Sequence, residues 1–210
     1  SATAPPPSAG AEVLEKADDQ QPTAPASRKF LGAKISDVDV ISAIRSQSPT
    51  QFKPVGSTSV VFRMRLDGDV DAAFKPRSHS HGRGDLHEVA AYRIARALGL
   101  RSVPPAALRW VPLDSIRRLL HPEYVDRWDS LSADMIWNED SKVRGAAIFW
   151  IPDMRDLGLD SAAGRERWMG WLSQSTSMPV DARQRDMARQ VSTMIAFDYL
   201  IANWDRFSGA

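Results

Sequence analysis

Four groups of residues have types and spacings suited to phosphate chemistry. Lys75 stands among apolar neighbours in Ala72-Ala73-Phe74-Lys75-Pro76. A strand lysine either projects to solvent and blunts a sheet edge, or faces a cleft and binds an anion, which requires a carboxylate to hold its ammonium. Glu88 in Gly84-Asp85-Leu86-His87-Glu88 is such a carboxylate. Its alternative role is structural, since Asp85 followed three residues later by Glu88 matches a capping box. Gly56-Ser57-Thr58-Ser59 places a glycine and hydroxyl residues where a strand begins. Such a turn can aim backbone N–H groups at phosphate oxygens, and the same residues are also ordinary loop material. Asp205-Arg206 follows the apolar helical run from Met194 (MIAFDYLIANWDR), and a carboxylate at the end of a packed element is held firmly enough to do chemistry.

The elements that must position these groups follow from patterning. Ser59 to Leu66 alternates and is β-branched or aromatic at several positions, Asp67-Gly68 is a turn signal, and Val70 to Lys75 returns, which predicts a hairpin. Pro76 is expected to end the pairing. Leu86, Val89, Ala90, Ile94, Ala97 and Leu98 recur at helical spacing up to Gly99, which predicts a helix with Glu88 in its first turn. A hairpin strand ending in lysine, followed by a helix carrying a glutamate, is how kinase-type sites hold a phosphate-binding ammonium. Lys75 would then contact the α- and β-phosphates while Glu88 keeps it oriented. Ala146 to Ile151 is an apolar, strand-like run.

Composition limits the alternatives. With 210 residues and a hydrophobic fraction of 43%, the chain is long enough for one domain or one domain of two lobes. A net charge of +1 and the lack of a spanning apolar run imply neither a nucleic-acid nor a membrane partner. Without cysteine there is no disulfide, thiol nucleophile or thiolate metal site. Residues 1–28 are rich in Pro, Ala, Ser, Gln and Asp without apolar periodicity, and are expected to be a disordered leader. Because the sequence opens on Ser, that leader follows either a removed signal peptide, which would mean export, or a simple chain boundary. The compartment stays open. His79, His81 and His87 have no acidic partner at clear ligand spacing, so no metal site is assigned to them. All seven tryptophans lie beyond residue 100 and are expected mostly to fill a helical core, with Trp204 packing against the loop that carries Asp205.

Phe74 to Ser78 (FKPRS), Leu86 to Arg109 (LHEVAAYRIARALGLRSVPPAALR), Arg144 to Met154 (RGAAIFWIPDM) and Ala196 to Arg206 (AFDYLIANWDR) resemble, in the same order, segments of the secretory-pathway kinases. That family includes the Golgi casein kinase, the proteoglycan xylose kinase and four-jointed, an atypical branch of the protein-kinase-like fold. The Glu-x-Ala-Ala-Tyr helix followed by Val103-Pro104-Pro105, and the Asn-x-Asp-Arg close, are its most specific parts.

The resemblance implies an α+β, bilobal protein-kinase-like fold whose C-terminal lobe stops after the catalytic loop. Residues 29–145 would form a small nucleotide-binding lobe with a connecting segment, and 146–210 a hinge and partial helical lobe. Lys75 would bind phosphate with Glu88 as its partner, Gly56, Ser57, Thr58 and Ser59 would form the nucleotide loop, and Phe149 and Ile151 would line the adenine pocket. Asp205 would accept the proton of the attacking hydroxyl, and Asp198 would be structural. The implied cofactors are ATP and Mg or Mn, but the later metal-binding Asn and Asp of such kinases have no counterpart in this sequence. The expectation is therefore an N-terminal portion of a longer kinase, itself inactive or weakly active, with a non-catalytic nucleotide-binding or protein-interaction module as the alternative. The acceptor hydroxyl, on protein, glycan or small molecule, is left open.

Overall fold

The computed structural model describes residues 29–56, 59–173, 181–204 and 206. The leader expected over 1–28, together with Ser57, Thr58 and Asp205, lies outside them.

The first element was not foreseen. Helix α1 (Asp37–Ser46) is capped by Ser36, whose Oγ accepts from the Asp39 backbone N–H at 3.2 Å and donates to the Asp39 carboxylate at 2.6 Å. Strand β1 (Pro49–Pro54), also unforeseen, pairs antiparallel with β2 (Phe62–Leu66), which pairs with β3 (Ala72–Pro76). The β2–β3 hairpin thus forms around Asp67-Gly68 with strands shorter than the alternation suggested. Helix α2 (Gly84–Ala97) follows, then β4 (Ala106–Pro112), α3 (Leu113–Arg118), a 3₁₀ turn over Pro122–Arg127, α4 (Trp128–Ser132) and β5 (Lys142–Phe149). Helices α5 (Ala162–Leu172) and α6 (Ala182–Leu200) complete an α+β fold. The expected lobe boundary at 145/146 falls inside β5. Among the described residues no helix is long and apolar enough to cross a membrane.

The five strands form one antiparallel sheet in the order β1-β2-β3-β5-β4. β3 is therefore an interior strand and Lys75 is not an edge lysine. Pro76 does not stop the pairing before itself: it is the last residue of β3 and lies opposite Gly145. Proline lacks the N–H but keeps a carbonyl, so it is tolerated at the end of a ladder.

Strand alternation divides the sheet into two faces. Phe52, Phe62, Met64, Phe74, Ala107, Val143 and Ala147 belong to the main core with Val40 and Ile44 of α1 and Ile116 of α3. Phe52 meets Phe62 and Phe74 edge to face, with ring centroids 5.9 and 6.2 Å apart. Arg109 of β4 closes the far end of α1 by donating to the Ile44 and Gln47 carbonyls at 2.9 and 2.6 Å. Such carbonyls have no partner within their own helix. The opposite face carries Ala106 and Ala146, which pack with Val89 of α2 and with Tyr92, Leu108 and Ile148.

Two expectations about packing are corrected. Helix α2 buries Asp85, Val89 and Ala95, whereas Leu86, Ala90, Ile94, Ala97 and Leu98 from its expected apolar face are exposed. The helix is turned because two charged residues, Asp85 and Glu88, occupy the sheet side. The tryptophans do not fill a core either: Trp110, Trp137 and Trp204 are exposed, and Trp128, Trp150, Trp168 and Trp171 are only partly buried. Phenylalanine and aliphatic side chains form the interior instead.

Candidate active site

Lys75 reaches α2 from the middle of the sheet. Its neighbour Phe74 is fully buried in the main core, so alternation turns Lys75 to the other face, opposite Ala146 in register. On that face Nζ donates to Glu88 Oε1 at 2.8 Å. The lysine stem lies against the start of the helix, with Cε 3.5 Å from where a Cβ on Gly84 would be, an ordinary contact distance. Asp85 does not cap the helix, as the capping-box alternative required. The N-cap is Arg83, which makes no side-chain cap bond, and the Asp85 carboxylate instead accepts from Arg144 Nε of β5 at 2.7 Å.

The two ion pairs differ in environment. The Lys75 and Glu88 side chains are 26% and 35% exposed, those of Arg144 and Asp85 24% and 0%. Exposed pairs contribute about 0–1 kcal/mol because water screens them. Removing one partner of a buried pair costs about 3–5 kcal/mol, since a charge is left in low dielectric. A third pair holds the far end of α2: Arg96 Nε donates to Asp37 at 2.5 Å, and its other nitrogens donate to the Leu100 and Val103 carbonyls. The Arg96 guanidinium also stacks 4.8 Å from the Tyr92 ring centroid.

The connection from β3 to α2 is pinned as well. Ser80 donates its backbone N–H and its hydroxyl to Asp134, at 2.9 and 2.5 Å. The Ser80 hydroxyl bond is the main cause holding the Asp134 carboxyl below its ordinary range. Arg77 Nε donates to the Gly82 carbonyl at 3.1 Å and closes the loop.

The other candidate residues fare differently. Gly56 sits exposed in the β1–β2 connection with φ of +76°, a conformation that favours glycine, and Val55 N–H bonds the Val61 carbonyl across the base of the turn at 2.9 Å. Ser59 is partly buried on the returning side. The Phe149 side chain does not share the face of Lys75. It packs with the main core and meets Phe30 edge to face at 5.8 Å, because alternation from Ala146 sends Ile148 to the lysine face and Phe149 away from it. Ile148, opposite Ala73, is the apolar residue of this run whose side chain shares the face of Lys75. Ile151 is partly buried just past the strand.

Around Asp205 only the flanks are described. Asp198 is buried and accepts from Asn203 Nδ2 at 2.9 Å and from Arg206 through two nitrogens, Nη2 at 2.7 Å and Nε. Asn203 N–H also bonds the Asp198 carbonyl at 2.8 Å, so Asp198 organises the turn that leaves α6. Trp204 is 73% exposed and meets Tyr199 edge to face at 5.8 Å. Among the described residues no group of three His, Cys, Asp or Glu is placed to hold a metal ion.

Arg144 was missed as a site-supporting residue. RGAAIFW signals only that it alternates with Ala146 and Ile148; the register of β5 on β3 makes their face that of Lys75.

No protein-family model and no curated protein matches the sequence. Similarity is found among solved structures. A crystal structure of the Golgi casein kinase with Mn and ADP bound is 15% identical, covers 56% of this chain and 35% of that one, with a TM-score of 0.47. A second structure of the Golgi casein kinase gives the same values. The structure of hydra Fam20 with sugar is 20% identical, covers 61% of this chain and 46% of that one, with a TM-score of 0.45. The likeness is a distant one of fold, and the chain spans less than half the length of the structures it matches.

Proposed function

We propose that this chain carries the nucleotide-holding part of an ATP-dependent phosphotransferase that acts on a hydroxyl acceptor. The observation that carries the reading is the 2.8 Å pair between Lys75 on the third strand and Glu88 on the helix that follows, in a sheet whose first two strands are joined by a glycine turn. Kinases use this combination to hold a phosphate-binding ammonium under a loop that covers the phosphates. An ammonium with a carboxylate on one side keeps donors for phosphate oxygens on the other.

In this reading Lys75 binds the α- and β-phosphates, and Glu88 fixes its direction. The Gly56 turn covers the phosphates, and Ala73 with Ile148 gives the base an apolar surface between the glycine turn and the segment through Ile151. Asp205 takes the acceptor proton, and Asp198 holds Asn203 and Arg206 on either side of it in the chain. ATP supplies the phosphoryl group. No described residues fit a Mg or Mn ligand set, so no step is assigned to a metal. Acceptor identity is a matter of the site, not of the fold.

Titration calorimetry with ATP, with and without Mg or Mn, tests the reading on this chain and on Lys75→Met and Glu88→Gln. Binding that falls at least tenfold in Lys75→Met, and less in Glu88→Gln, is expected. Absence of binding in the unsubstituted chain, or affinity indifferent to Lys75→Met, would sink it. ATP turnover by a binding-competent chain separates a transferase from a binding module.

A further inference from the structure

Resting on the nucleotide-site reading, we propose that Asp85 and Arg144 are positioning residues whose buried ion pair sets where α2 lies on the sheet and so keeps Glu88 within reach of Lys75. Asp85 and Glu88 are one turn apart and project from one side of α2. Their partners stand on the adjacent strands β5 and β3 and on one sheet face, because Arg144 alternates with Ala146 and Ala146 lies opposite Lys75.

The first turn of α2 is thus tied down at two points, and the buried tie is the one able to bear load. Apolar packing holds the helix lightly, since Val89 and Ala95 are its buried apolar residues and Tyr92 packs beside Val89 only partly buried. No side-chain cap holds its start. The opposite end is already fixed to α1 through Arg96 and Asp37, so the end carrying Glu88 is the one whose place depends on the Asp85–Arg144 pair. Asp85 Oδ1 is buried without a partner among the described residues, which leaves Arg144 as the contact that compensates this carboxylate. When that contact goes, the carboxylate is driven toward water and takes the first turn with it.

The chain has no cysteine, so nitroxide labels at Ala90→Cys on α2 and Arg65→Cys on β2, both exposed positions, report the helix-to-sheet distance by pulsed EPR. A narrow distribution is expected for the otherwise unsubstituted chain. Asp85→Asn and Arg144→Gln should broaden it. If the competent population falls to about a tenth, the apparent Kd for Mg-ATP rises about tenfold. Arg144→Lys, which preserves the ion pair, should restore both readouts, while Lys75→Met should weaken ATP binding without broadening. A narrow distribution in both Asp85→Asn and Arg144→Gln overturns the proposal, as does broadening with unchanged ATP affinity. Global unfolding of both variants also overturns it, because the pair would then hold the fold rather than the helix. Failure of the unsubstituted chain to bind ATP removes the nucleotide reading alone, and the distance readout still decides whether the pair positions α2.

Discussion

The sheet and the inward sides of α1 and α2 share a buried core, whereas α5 and α6 bury few apolar side chains among the described residues. In the sheet region three phenylalanines, two helices and three ion pairs close on one another. In the other region Val191 and Phe197 are the buried apolar side chains of α6, while Met169, Leu172, Tyr199, Leu200 and Trp204 face outward. A cavity of about 290 Å³ separates α6 from the Leu100–Val103 segment. Rigidity is therefore concentrated around Lys75, and the turn after α6 relies on one buried carboxylate, Asp198, for its shape.

Substitutions can break this contrast. Phe74→Ala removes a fully buried ring from the centre of the sheet and should destabilise by about 3–5 kcal/mol. The loss should be seen in thermal melts, with Lys75 reactivity rising because its strand loosens. Gly145→Ala comes next: a Cβ there would lie 2.6 Å from the Phe74 ring and 2.7 Å from the Lys75 carbonyl, an overpacking of about 1–3 kcal/mol. Asp198→Ala should cost a comparable or smaller amount, since Arg206 is partly exposed. Its signature is local: amide exchange should accelerate around Asn203 and not in β3. Trp204→Ala should change stability by less than about 0.5 kcal/mol, and a large loss would show that the second region is tighter than its exposure implies.

Acid is the mildest perturbation. Hydrogen bonds from Ser80 lower the folded pKa of Asp134 below its ordinary 3.8. The depressed value means that the contribution of this contact is complete above pH 3.8 and is lost only as pH falls through the lower folded value. Asp134 is only partly buried, so the effect is small. The Asp134 side-chain carboxyl resonance should titrate with a midpoint below 3.8. A midpoint at or above that value would contradict the assignment.

What could be read from the sequence was local. Asp67-Gly68 announced its hairpin, and the Leu86 to Gly99 periodicity announced a helix. The same periodicity chose the wrong face, since it counts Asp85 and Glu88 as polar and cannot know that Arg144 and Lys75 wait on the sheet. Asp85 and Arg144 are 59 residues apart, as are Asp37 and Arg96, and such pairs exist only once strand register is set. The face that the Phe149 side chain takes was illegible for a related reason, because a one-residue change in phase moves a side chain to the other face. Helix α1 was legible in retrospect from Ser36 and Asp39, a capping pattern before an alternating run that reads as strand.

The order β1-β2-β3-β5-β4 also bears on when the lysine site comes into being. β3 finds β2 at once through a short hairpin, but its second neighbour, β5, is synthesised much later. The floor on which α2 rests, Ala106 and Ala146, comes later still than the helix itself. Long-range pairing of this kind is slow relative to hairpin and helix formation. A nascent chain released only as far as Ala97 would have both charged partners, Lys75 and Glu88, with no surface to bring them face to face. Arrival of β5 delivers Arg144 and the second neighbour of β3 together, so the face-to-face placement of Lys75 and Glu88 depends on a strand synthesised after both of them.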